Sequence, residues 1–209
     1  VKYFFYLTLT LFAGLQATAQ DYPFKKNFYP GFIILKNESR VHGNIRWMPD
    51  QATKLRFTKN INGNAQDKYA PEDLLGFQVD SFRFVSLFDF SVYAEKYEWL
   101  GGSTKIKSDF GELIDSGKCS IYLVTTSGYN QNNDLQYYRN YLFQRKTGVV
   151  FEYAAYPLGR TVSAKGFESM KAALVKFFSD YPEIVSKINA LGPQDGFSAT
   201  LELIKKLNA

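Results

Sequence analysis

A chain of 209 residues with 25 Lys and Arg, 20 Asp and Glu and a single His carries a formal net charge of +5. Its cations come singly or in pairs such as Lys25-Lys26 and Lys205-Lys206, never in the run of five or more that marks a nucleic-acid or polybasic membrane segment. One His and one Cys exclude a zinc centre built from several such ligands and an intrachain disulfide, so stability has to come from the core.

The first segment is Val1-Lys2, an uncharged and mostly apolar stretch over 3–15, and Gln16-Ala17-Thr18-Ala19-Gln20. Basic start, apolar centre and small residues before a boundary predict a cleavable signal peptide over 1–20. The apolar stretch is shorter than the roughly 20 residues of a membrane span, and no cysteine stands at the boundary to carry a lipid. Residues 21–209 are therefore expected as one soluble, exported domain, in the periplasm or at the cell surface, with no transmembrane span. Export makes nucleic acid a poor partner, and no cofactor motif is read.

Residues 21–30, with two prolines and four aromatics, predict an extended lead-in that tucks against the core. Residues 32–35 and 41–47 flank the turn Lys36-Asn37-Glu38-Ser39, and Val41, Gly43, Ile45 and Trp47 share one parity, which predicts a β-hairpin. Leu55 and Phe57 alternate in a further strand before the Asn62-Gly63 turn. Residues 69–75 predict one helical turn, with Pro71 early, carboxylates facing the helix dipole and Gly76 as its end. Strands follow over 77–79 and 82–88, and strand is assigned over 89–107.

Residues 108–116 predict a short helix, with Asp109 and Glu112 spaced as a capping box and Gly117 as its stop. Residues 119–126 read as a buried strand, and 137–144 with 149–155 as a hairpin around Arg145-Lys146-Thr147-Gly148. Beyond Pro157 the apolar period becomes helical. Phe167, Met170, Leu174, Phe177 and Phe178 form one stripe. Ile184, Val185, Ile188 and Leu191 form a second, begun by an Asp180 cap and Pro182. Phe197, Leu201, Ile204 and Leu207 form a third. Strands first and helices last predict an α+β fold, an antiparallel sheet or partly open barrel of about eight strands followed by a three-helix segment over about 164–208.

Three stretches together resemble an uncharacterised exported family of Bacteroidota-type bacteria. They are Gly31-Phe32-Ile33-Ile34-Leu35-Lys36-Asn37-Glu38-Ser39-Arg40-Val41-His42-Gly43-Asn44-Ile45, Tyr69-Ala70-Pro71-Glu72-Asp73-Leu74-Leu75-Gly76-Phe77, and Leu113-Ile114-Asp115-Ser116-Gly117-Lys118-Cys119-Ser120-Ile121-Tyr122. Glu38 and Ser39 stand where that family usually has glycine and aspartate. The resemblance implies export, a β-rich fold and closing helices. The family has no assigned activity, so it supplies no site residues.

His42, beside the hairpin turn, is the only histidine that could serve a nucleophile as base, and it reads as an exposed hairpin residue. Cys119 opens an apolar strand and reads as a small buried hydrophobe. Asp109-Phe110-Gly111 matches a kinase triplet in letters alone. Asn130, Asn132 and Asp134 have calcium-loop spacing, but Leu135 and Tyr141 occupy the positions where the loop needs glycine and glutamate. Glu72, Asp73, Asp109, Glu112 and Asp115 are the carboxylates available for a glycosidase-type pair. Trp47, Trp99, Tyr137, Tyr138 and Tyr141 are candidate partner-binding aromatics, against core packing as the plainer role. The sequence thus favours a non-catalytic cell-envelope module binding a protein or glycan partner. A carboxylate-dependent hydrolase of envelope polysaccharide and an envelope assembly scaffold are its alternatives.

Overall fold

The structure is a computed structural model that describes residues 22–48, 55–63, 65–93, 103–129, 135–158, 164–193 and 195–209. The predicted signal peptide, the Pro49-Asp50 break, Trp99, the Gly101-Gly102 corner and the loop bearing Asn130, Asn132 and Asp134 lie outside the described residues.

A short 3-10 turn, Pro23–Lys25, leads into β1 (Tyr29–Leu35), β2 (Arg40–Arg46), β3 (Leu55–Thr58), β4 (Asp67–Tyr69), β5 (Leu74–Val79), β6 (Phe82–Tyr93), β7 (Ser103–Asp115), β8 (Ser120–Tyr129), β9 (Leu135–Thr147) and β10 (Val150–Leu158). Three helices follow, α1 (Ala164–Phe177), α2 (Pro182–Ala190) and α3 (Ser198–Asn208). The strands form one open antiparallel sheet in the order β10-β9-β8-β7-β6-β5-β1-β2-β3-β4. β5 returns beside β1, so four strands lie on one side of it and five on the other. The fold is α+β as expected, with ten strands rather than about eight.

The extra strands come from two places where local signals lose to pairing. Of residues 69–75, expected as one helical turn, Tyr69 ends β4, Leu74 begins β5 and 70–73 form a tight turn between them: Asp73 accepts the Ala70 N–H at 2.7 Å and Asp73 N–H donates to the Ala70 carbonyl at 3.0 Å. Gly76 lies inside β5, where a Cβ would come within 2.2 Å of the Phe84 carbonyl oxygen, so it permits close strand approach and ends nothing. Of the residues 108–116 expected as helix, 108–115 belong to β7, which pairs with β6 up to Glu112 and with β8 from Glu112 to Asp115. This continuous ladder satisfies the backbone first against β6 and then against β8, and that outweighs the capping-box spacing of Asp109 and Glu112. α2 also departs from its predicted start. Its N-cap is Tyr181, with no side-chain capping bond, and the Asp180 carboxylate meets Arg145 Nη1 at 3.2 Å.

Three apolar clusters hold the sheet. On one face of its N-terminal half, Ile33, Ile45, Leu55, Phe57, Phe77, Val79, Phe84 and Phe110 are buried with Trp47. Tyr22 and Phe24 of the lead-in close this cluster, and Tyr22 donates to Glu112 Oε2 at 2.5 Å. A second cluster fills the curl where β10 approaches β6, with Leu87, Phe90, Val92, Tyr122, Val124, Leu142 and Ala155. Asp89 has φ 51°, and this kink shifts the buried parity so that Leu87 and Phe90 enter the same cluster. The third lies under the helices, where Ile121, Phe143 and Ala154 meet the stripes Phe167, Met170, Leu174, Ile184, Ile188, Leu201 and Ile204. No helix among the described residues is long and apolar enough to cross a membrane.

Two asparagines tie the layers. Asn208 at the end of α3 accepts the Cys119 N–H at 3.0 Å and donates to the Cys119 carbonyl at 2.7 Å and to Asp115 Oδ2 at 3.0 Å. Asn140, fully buried, accepts the Tyr93 N–H at 3.0 Å and donates to the Tyr93 carbonyl at 3.1 Å, joining β9 to the end of β6 across the curl. Asn140→Ala leaves both Tyr93 groups unpaired and is expected to cost about 2–3 kcal/mol. Urea unfolding measures it, and an unchanged midpoint would show that the curl does not depend on this pair.

Candidate functional site

In β1 to β5 one parity of side chains is committed to the core, so the other parity must face outward. Directly paired residues share a face, and the register therefore fixes who stands beside whom. Arg46 pairs with Arg56, and Arg56 with Lys68, which sets three cations in one line across β2, β3 and β4. A second line runs from His42 through Phe32 and Gln78 to Arg83. Between the lines lie Asn44 and Pro30, and Arg40 pairs with Ile34 just beyond.

No Asp or Glu occupies a position on this face of β1 to β5; the adjacent Asp67 pairs with Phe57 and belongs to the other face. The ion pairs among the described residues use Lys105, Arg145 and Lys205, none of which is on this face. Instead two of the guanidiniums, those of Arg40 and Arg46, lie on rings. Arg46 sits 5.0 Å from the Phe28 centroid, Arg40 sits 5.0 Å from that of Phe32, and the His42 and Phe32 rings are 5.4 Å apart. Such stacking orients a planar cation while leaving its N–H edge available. Arg40, His42, Arg56, Lys68 and Arg83 are exposed, and Arg46, Asn44 and Gln78 are half-buried. Like charges directly opposite one another destabilise a sheet. The arrangement costs stability and gives the face a single-signed field suited to an anionic partner.

Sequence reading placed His42 correctly as an exposed hairpin residue, yet it missed the face around it. The alternation Arg40, His42, Asn44, Arg46 was available as a signal; the line through Arg56 and Lys68 was not, because it exists only once β2, β3 and β4 are paired.

The other candidates are dispersed. Cys119 is buried in the cluster under the helices, burial pushes its thiol up to about 12, and it lies on β8's approach, far in topology from His42 on β2. The carboxylates each serve local structure. Glu72 accepts from Ser108 at 2.6 Å, and this bond holds its pKa below the ordinary value. Asp73 closes its turn, and Asp115 takes Asn208. Asp109 and Glu112 project from opposite faces of β7, since their partners are Leu87 and Phe84. Burial raises the pKa of Glu112, opposed by the Tyr22 bond and the charge of Arg139. Among the described residues no three His, Cys, Asp or Glu side chains gather as metal ligands.

The partner-binding aromatics need correction. Trp47 is 3% exposed, wedged edge-on against Phe77, Phe84 and Phe110 with no acceptor for its indole N–H, and Tyr138 is 1% exposed. Both are core, because Trp47, one residue past β2, continues the inward parity of Ile45, and Tyr138 shares its β9 parity with the buried Asn140 and Leu142. Tyr141 is half-buried against the helix cluster. Tyr137 alone of the described four is exposed, with Lys25 Nζ 5.0 Å from its ring centroid. A different apolar surface emerges at the β9–β10 turn, where Val149, Val150 and Phe151 are 94%, 61% and 52% exposed beside Gly148 at φ 63°.

No family model, curated protein or solved structure matches the chain.

Asp109 is half-buried on the curl side of β7 and accepts the Phe110 N–H at 2.7 Å; burial pushes its pKa up to about 7. A folded-state pKa raised above the unfolded value means that Asp109's favourable contribution is complete below about pH 4 and is lost as pH rises through about 7. Asp109→Asn, which can keep the Phe110 bond, is expected to stabilise by about 1–3 kcal/mol at pH 8 and to have little effect near pH 4. Thermal melts at the two pH values check this, and equal effects at both would remove burial of the charge as the cause.

Proposed function

We propose that the chain is a non-catalytic module of the bacterial cell envelope, exported by its predicted leader, that binds a protein or glycan partner through the outward face of β1 to β5. One observation carries the reading: Arg46, Arg56 and Lys68 stand in direct register with no carboxylate on their face of β1 to β5 among the described residues. Folding alone gains nothing from that line, since each like-charged pair opposes the sheet by about 0.2–1 kcal/mol. The resemblance to exported proteins of Bacteroidota-type bacteria supports a location in the periplasm or at the cell surface.

A specific observation also favours the assembly-scaffold reading. Val149, Val150 and Phe151 form an exposed apolar hairpin tip, where turn chemistry ordinarily places polar residues. In that reading the tip docks into an envelope assembly, and the basic face is incidental.

The two separate in one capture experiment. Tagged mature chain, an Arg46→Glu/Arg56→Glu/Lys68→Glu variant and a Val149→Asp/Phe151→Asp variant are each exposed to solubilised envelopes. The binding-module reading expects the first variant to lose at least about tenfold in retained partner and the second to keep it; the reverse pattern would establish the scaffold. A second expectation concerns stability. Arg56→Gln relieves two like-charged contacts and is expected to raise unfolding free energy by a few tenths to about 1 kcal/mol while weakening partner retention. A drop in stability would show Arg56 to be structural.

A further inference from the structure

Resting on the binding-module reading, we infer that the ligand of the basic face is an acidic polysaccharide that presents carboxylates on successive sugars to the line Arg46, Arg56 and Lys68. Adjacent strands lie about 4.8 Å apart, so the three cations advance in equal steps across β2, β3 and β4. That step is comparable to one sugar ring, so a chain of uronic acids lying across the strands can offer each cation its own carboxylate. A guanidinium fork matches a carboxylate in two parallel hydrogen bonds, and the ring of Phe28 holds Arg46 flat for that contact.

The rest of the face favours a sugar over other polyanions. Asn44 lies between the two lines and Gln78 within the second, and neutral amides of this kind both donate to and accept from hydroxyls. Phe32, half-buried between His42 and Arg40, supplies an aromatic surface at the same level. A bilayer is a poorer fit, since interfacial attachment needs several apolar side chains that enter the lipid, and β1 to β5 present one exposed large apolar residue among the described residues, Leu75 at 38%.

The test uses the mature chain with polygalacturonate, the same polymer fully methyl-esterified, inorganic polyphosphate and phosphatidylglycerol vesicles, read by calorimetry and co-sedimentation. The inference expects binding to polygalacturonate that weakens as salt rises, loss of about tenfold or more on esterification and in Arg46→Glu/Arg56→Glu, and weaker binding to polyphosphate and vesicles. Arg56→Gln, a milder change monitored by circular dichroism, guards against a folding defect and is expected to lose affinity in part. Equal or tighter binding to polyphosphate or vesicles would overturn the inference, as would indifference to esterification or to the Arg variants. If polygalacturonate does not bind while the triple charge reversal still abolishes envelope capture, the ligand class is wrong and the binding module stands. If capture is unaffected as well, both fall.

Discussion

Burial of Ile33, Ile45, Phe57 and Phe77 on one face of four neighbouring strands is the constraint from which the rest follows. Strand side chains alternate, so a slip of one residue would turn this whole set outward. Each such side chain is worth about 1.5–3 kcal/mol of burial, whereas each like-charged cross-strand pair opposes the register by about 0.2–1 kcal/mol. Core burial wins by a wide margin, and the cations are held in line because their neighbours are held inside. The basic face needs no interaction of its own to persist.

The same sheet serves two other purposes farther along. Past β6 it curls around a second cluster, with the kink at Asp89 redirecting buried parity and Asn140 fastening β9 to Tyr93. Its far face carries the helices, whose stripes cover Ile121, Phe143 and Ala154. Among the described residues the C-terminal half is thus covered on both sides, and the N-terminal half is left with one open face. That division of cover is why the open face lies on β1 to β5.

Much of the architecture was legible in the sequence. The β1–β2 hairpin, the β9–β10 hairpin and the three helical stripes follow from periods of two and of about 3.6, and all are present. Residues 108–116 failed for a physical reason: Asp109 and Glu112 suit a helix start locally, but β6 up to Glu112 and β8 from Glu112 on supply backbone partners that no local signal announces. Glu38 shows the reverse case. It adopts φ 66° where the resemblance expects glycine, so the turn keeps its geometry without the residue that usually marks it. The candidate site was half legible. Alternation put Arg40, His42 and Arg46 on one side of β2, yet their alignment with Arg56 and Lys68 depends on pairings between strands that no single stretch encodes. The aromatic load misled in the other direction, because Trp47 and Tyr138 carry the core.

The proposed binding at the basic face is tested most directly by arginine side-chain NMR, following the Nε–Hε signals of residues 21–209 as solubilised bacterial envelope material, the proposed source of the partner, is added. The account predicts selective shifts at Arg40, Arg46 and Arg56, with the backbone signals of 146–151 unmoved. Shifts confined to 146–151, or none at the three arginines while the partner binds, would contradict it.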